Sequence, residues 1–122
     1  MKLLLDTNAL VRWHLDELRP AAVRTVQRAD LVVVSAVSAW EIAIKRAVGK
    51  LEFEDLVEDI VAQNGFLALP VTVRHGDLLR DLPRHQGDPF DRLLIVQALE
   101  EGLTILTSDR AFEPYRVPVV WA

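Results

Sequence analysis

The sequence predicts an α/β fold: one compact domain over residues 1–122, with a sheet of about five short, mostly parallel strands flanked by helices as an α/β/α sandwich. Two observations point there. Short runs rich in Leu, Val and Ile alternate with longer segments of helical period, the pattern of parallel strands joined by crossover helices. The 122 residues are 51% hydrophobic, enough for one core, and no repeat or linker divides them.

The elements follow in order. Residues 2–5 read as a buried strand, followed by a helix over 8–17 and another over 20–29 that opens on Pro20. Residues 31–34 are a second strand. The helix predicted over 36–48 carries Trp40, Ala43, Ile44 and Ala47 on one apolar face and stops at Gly49. A further amphipathic helix over 54–63 runs through Leu56, Val57, Ile60 and Val61 to Asn64-Gly65. Residues 67–69 form a short strand ended by Pro70. A short helix at 73–80 and a polar loop at 82–87 precede a helix over 89–100 that is apolar on nearly all sides and therefore expected to be buried. A strand at 104–106, a helical turn at 108–112 and a strand at 117–121 complete the chain.

Composition excludes several classes. With no cysteine there is no disulfide, thiolate metal site or cysteine nucleophile. Asp6 interrupts the apolar start long before a secretion signal could form, and no run approaches the ~20 apolar residues that span a bilayer. The expectation is a soluble, cytoplasmic protein with no membrane partner. A formal net charge of −4 argues against broad adhesion to nucleic acid, so a nucleic-acid enzyme would need local basic patches around an acidic centre.

Such a centre is visible. Parallel α/β sheets bind ligands beyond the carboxyl ends of their strands. Asp6 ends the first strand, Asp109 follows the strand at 104–106, and Glu41 and Asp91 lie in the first turns of two helices. Each acid also has a purely structural reading. Ser38-Ala39-Trp40-Glu41 and Asp88-Pro89-Phe90-Asp91 match the capping box, and Asp6 and Ser108 or Asp109 suit helix starts. Capping does not explain why acids from distant parts of the chain gather at one sheet edge. Packed carboxylates repel one another, and a divalent cation relieves the conflict; oxygen-only ligands suit Mg²⁺ or Mn²⁺ rather than zinc.

Leu4-Leu5-Asp6-Thr7-Asn8, Ser38-Ala39-Trp40-Glu41-Ile42, Asp88-Pro89-Phe90-Asp91-Arg92-Leu93-Leu94 and Leu106-Thr107-Ser108-Asp109 resemble, in order, the motifs of PIN-domain nucleases, and most closely those of the VapC-like toxins of bacterial toxin–antitoxin pairs. The resemblance covers essentially the whole chain, and the Asp-Pro-Phe-Asp-Arg block is its most specific part. It implies that Asp6, Glu41 and Asp91 hold the metal, with Asp109 as a fourth acid of more variable role. It further implies hydrolysis of RNA by a metal-activated water, a homodimer, and inhibition by a small cognate antitoxin. One departure stands out: many similar sequences carry His two residues before Asp-Pro, where this chain has Gln86, with His85 one place earlier. His85, like His14 and His75, is read as structural.

Around the acids, Thr7, Asn8, Ser38 and Ser108 are placed to support ligands or cap helices. Arg92, a cation in a first helical turn, has either Asp88 or an RNA phosphate as its partner. Lys45 stands four residues after Glu41, either paired with it or, with Arg46 and Lys50, lining an RNA path. Trp13, Trp40 and Phe90 read as core. The helices at 36–48 and 54–63, with Leu51 and Phe53 between them, would frame an apolar groove of the kind that receives an antitoxin in similar proteins. Haloacid-type phosphatases need an Asp where Asn8 stands, and phosphorelay receivers need an acidic pair at the first strand and a late Lys that are not evident. A DNA-directed nuclease and a catalytically silent module of the same fold remain as alternatives.

Overall fold

A computed structural model describes residues 1–122. Five strands, β1 (Lys2–Leu5), β2 (Leu31–Ser35), β3 (Leu67–Leu69), β4 (Thr104–Thr107) and β5 (Val119–Trp121), form one sheet in the order β3-β2-β1-β4-β5. Every pairing is parallel. Six helices surround it: α1 (Thr7–His14), α2 (Pro20–Arg28), α3 (Ala36–Ala47), α4 (Val57–Asn64), α5 (Val73–Leu78) and α6 (Pro89–Glu101), with short 3-10 turns at Leu79–Asp81 and Arg110–Phe112. The central strand β1 is buried on both faces, which is why Leu3, Leu4 and Leu5 can follow one another without polar alternation.

That alternation of side chains divides the core. Leu3, Leu5, Val32, Val34 and Leu106 face α1, α2 and α4, while Leu4, Val33 and Ile105 face α6 and Phe112. The alternating α/β reading therefore holds, and the strands lie where the apolar runs placed them. Helix boundaries moved. The first helix stops at His14 because the chain turns sharply at Asp16, which adopts φ 57°. Helix α4 begins at Val57 rather than 54, and Phe53 lies 2% exposed within the core, so it fills the space beneath α3 and α4 instead of lining a groove between them.

The largest correction concerns α3. Its N-cap is Ser35, whose hydroxyl accepts from Val37 N at 3.0 Å, so Ser38 caps nothing and Glu41 lies too deep in the helix for a capping box. The buried positions of α3 are Val37, Ser38, Glu41 and Ile42. The apolar stripe points outward: Trp40 is 56% exposed and packs edge-on against Phe90 at 4.9 Å, with Ile44 and Val48 also exposed. Helix α6 is likewise not buried all round, since Leu99 faces solvent.

Gln97, fully buried on α6, joins that helix to the end of β2, the segment after β3 and α5. Its Oε1 accepts from Ser35 Oγ, its Nε2 donates to Pro70 O at 3.2 Å, and Nε2 lies 3.4 Å from Nδ1 of buried His75. His75 Nδ1 also accepts from Thr72 N at 3.0 Å, leaving its Nε2–H to donate to Glu101 Oε1 at 3.1 Å. Through Ser35, this junction ties the start of the Glu41-bearing helix to the Asp91-bearing one. Gln97→Leu strands the buried Ser35 hydroxyl and removes the donor to Pro70 O, and it should lower stability by about 2–3 kcal/mol. For a domain of this size that is a fall of roughly 10 °C in Tm by thermal denaturation; an unchanged Tm would show the junction to be dispensable.

Candidate active site

The carboxyl ends of β1, β2 and β4 and the starts of α1, α3 and α6 converge on one cleft of about 530 Å³. Asp6, Thr7, Asn8, Glu41, Lys45, Lys50, Asp88, Asp91 and Asp109 line it, with Val11 and Leu51 as its apolar wall. The four acids singled out in the sequence are thus brought together, along with a fifth, Asp88. Parallel pairing explains the closest approach. Leu5 is in register with Leu106, so the next residues along each strand, Asp6 and Thr107, lie side by side.

Asp6 is 4% exposed and bound at both oxygens. Oδ1 caps α1 by accepting from Ala9 N at 2.7 Å, and Oδ2 accepts from Thr107 Oγ1. Thr107 Oγ1 accepts in turn from Asp109 N at 2.9 Å, which couples the two strand ends. Asp109 caps the turn after β4, its Oδ1 accepting from Ala111 N at 2.9 Å. These two acids keep a capping role as well as a place in the cleft.

Glu41 and Asp91 do not. Asp88 is the N-cap of α6 and accepts from Phe90 N and Asp91 N, but the Asp91 carboxylate accepts no hydrogen bond in return. Glu41 is 5% exposed; its Oε2 meets Lys45 Nζ at 2.7 Å, while its Oε1 is buried without any partner. A buried unpaired carboxylate oxygen costs free energy that neither capping nor packing recovers. These are the two acids whose presence a structural role cannot explain.

Burial first, and neighbouring charge second, raise the pKa values of Asp6 and Asp91. Burial lifts Asp6 to about 6, with the charges of Asp109 and Glu41 adding to the rise and the hydrogen bonds from Thr107 and Ala9 opposing it. Burial also lifts Asp91 to about 7, reinforced by Asp88, Asp109, Asp6 and Glu41. Lys45 is pushed up by its bond to Glu41. The acids line the cleft without closing into a ready-made ligand set. An all-oxygen set that includes an orphaned buried oxygen fits a hard divalent cation.

The supporting residues divide. Thr7 and Asn8 line the cleft, and Thr7 Oγ1 donates to the buried Ser38 Oγ at 3.0 Å, pinning α1 to α3. Ser108 is exposed and lies outside the cleft; Thr107, which sequence reasoning passed over, makes the contact to Asp6 instead. Arg92 pairs neither with Asp88 nor with the cleft: its guanidinium donates to Pro83 O at 2.9 Å, Tyr115 Oη at 3.1 Å and Leu82 O at 3.3 Å, fastening the loop before α6. Arg46 is exposed outside the cleft. His14 pairs with Asp55 at 2.7 Å and His85 packs edge-on against Tyr115, both away from the acids.

The model of the PIN domain family matches residues 3–117. Ribonuclease VapC22 of Mycobacterium tuberculosis is 29% identical over 130 residues, covering 97% of this chain and 97% of that protein. Among solved structures, the fold is similar to that in VapBC2 from Rickettsia felis bound to a DNA fragment from their promoter, with TM-score 0.70 at 12% identity over 99% of this chain and 98% of that one. It is also similar to FitAcB from Neisseria gonorrhoeae, with TM-score 0.64 at 21% identity over 96% and 95% of the two chains. The sheet order, the acids at its carboxyl edge and a family match running from β1 to the approach to β5 agree, and the chain belongs to the PIN domain family.

Proposed function

We propose that this chain is a divalent-metal-dependent endoribonuclease that hydrolyses RNA phosphodiesters and serves as the toxin of a toxin–antitoxin pair. The observation that carries the catalytic part is a pair of acids in the cleft shared with Asp6 and Asp109: Glu41, buried with its Oε1 unpartnered, and Asp91, half-buried with a carboxylate that accepts no hydrogen bond. Similarity along nearly the full chain to a protein named a ribonuclease supports the substrate class. The toxin role is supported by similarity in fold to a solved structure described as a toxin–antitoxin complex from Klebsiella pneumoniae, so a small cognate antitoxin is the expected partner.

Asp6, Glu41 and Asp91 would hold Mg²⁺ or Mn²⁺, with Asp109 at the edge of the set. When bound, such a cation polarises a phosphoryl oxygen and makes a water more acidic. The protein's own part is positional. Thr107 and the amide of Ala9 fix both oxygens of Asp6, the Thr7–Ser38 bond sets α1 against α3, and Asp91, bound by nothing, can turn into the cleft. Lys45 and Lys50 on the cleft wall and Arg46 beside it are the cations available for the RNA backbone. The outward stripe of Trp40, Ile44 and Val48 supports a homodimer, since an exposed apolar strip of that length is costly for a monomer.

The test uses chain freed of any antitoxin and of metal. It should cleave a mixed-sequence RNA only when Mg²⁺ or Mn²⁺ is restored. Cleavage that persists in excess EDTA overturns the metal requirement, and equal cleavage of the matching DNA strand assigns the site to nucleic acid in general.

A further inference from the structure

Glu41 carries two oxygens in opposite situations. Oε1 is buried and unpartnered, whereas Oε2 meets the ammonium of Lys45 at 2.7 Å from one turn further along α3. Around this pair the cleft holds Asp6, Asp88, Asp91 and Asp109, and its cations are Lys45 and Lys50. Lys45 feels the charges of Asp88 and Asp91 as well as that of Glu41, so its ammonium sits within the field of the whole cluster. Its side chain is nonetheless 46% exposed, so the head has an open route to solvent while Glu41 has none. A lysine ammonium is a compact point charge on a flexible four-carbon stem, able to change partners without moving the helix that bears it.

We propose that Lys45 is the resident counter-cation of the metal-free cleft, bonded to Glu41 until a divalent cation replaces it, and that the released ammonium then contacts a phosphate of the bound RNA. The proposal rests on the nuclease reading above. Its physical basis is repulsion: a doubly charged cation at Oε1 and an ammonium at Oε2 of the same buried carboxylate repel each other, and the ammonium is the one with an exit to solvent. The exchange leaves Lys45 beside the cluster, at the cleft wall along which the anionic backbone would lie. One side chain thus balances charge in both states, first against the acids and then against the substrate.

A merely structural Glu41–Lys45 pair and an exchanging one differ in the sign of two effects. Lys45→Met removes the competitor for Glu41, so calorimetric titration of the metal-free protein with Mn²⁺ should show binding about two- to fivefold tighter than wild type, the range for an ion pair with one partner open to solvent. The same variant, saturated with Mn²⁺, should bind a non-cleavable 2′-O-methyl RNA more weakly, with a salt dependence shallower by about one phosphate contact. Lys50→Met, which removes a cleft lysine without breaking a bond to Glu41, should tighten Mn²⁺ binding less than Lys45→Met does. Unchanged or weaker Mn²⁺ binding by Lys45→Met overturns the exchange, and equal tightening by both variants reduces it to general charge. Unchanged RNA affinity in Lys45→Met overturns the hand-over to phosphate. Failure of the wild-type chain itself to bind Mn²⁺ defeats the metal-dependent reading and this proposal together.

Discussion

Asp91→Asn should lower RNA cleavage by at least about a hundredfold, because loss of even an outer partner of a metal ligand costs roughly 10- to 100-fold. It should also make the metal-free protein more stable. The carboxylate is about 7 in the fold against 3.8 as a free side chain, so at pH 7.5 its ionised form opposes folding. The full shift corresponds to about 4 kcal/mol at ~1.4 kcal/mol per unit, but Asp91 is only half-buried and solvent screens it, so about 1–2 kcal/mol is the expected gain. Asn is neutral, similar in shape and loses no hydrogen bond, since Asp91 accepts none. Thermal denaturation in EDTA should therefore show a Tm several degrees above wild type alongside the loss of activity. A variant that unfolds would instead return Asp91 to a helix-start role.

Stability of the metal-free wild type should fall as pH rises from about 4 through about 7, and a divalent cation should reverse the loss. Asp6 and Asp91 hold protons in the fold at pH values where the unfolded chain has released them. Folding therefore takes up protons in that window, and its free energy weakens with rising pH until both groups are ionised in both states. Asp30 and Glu100 shift downward through their partners, which adds stability as pH rises at the acid end and leaves the fall toward pH 7 to Asp6 and Asp91. Mn²⁺ at about a hundred times its dissociation constant should add ~2.7 kcal/mol. That gain should be large at pH 7.5 and small at pH 5, where protons compete for the same oxygens. Urea unfolding at the two pH values, with and without Mn²⁺, measures both slopes. A metal-free stability that rises across this range would show that the acids are not in conflict.

The parallel sheet was legible because its strands are fully buried and so appear as unbroken runs such as Leu3-Leu4-Leu5 and Val32-Val33-Val34. The acids at its edge were legible because strand ends dictate where a ligand can sit. Helix α3 was misread at both levels for one reason. Apolar periodicity assumes that the apolar face turns inward, yet here Ser38 and Glu41 turn inward to serve the cleft and Trp40 is left outside. Ser38 resembled a cap only because Ser35, the true cap, is also the last residue of β2. Arg92, Thr107 and Gln97 make their contacts across long stretches of chain, to Tyr115, Asp6 and Ser35, and no local pattern announces such pairings.

The capping alternatives also separate once the contacts are known. Asp6 and Asp109 bond helix-start amides, while Glu41 and Asp91 bond none, so the weight of the metal-site argument shifts toward the latter two. The most direct measurement is calorimetric titration of metal-free wild type and Asp91→Asn with Mn²⁺ at pH 7.5. The four-carboxylate account predicts saturable binding to the wild type that is lost or weakened at least tenfold in the variant. Equal binding by both proteins, or none by the wild type, would contradict it.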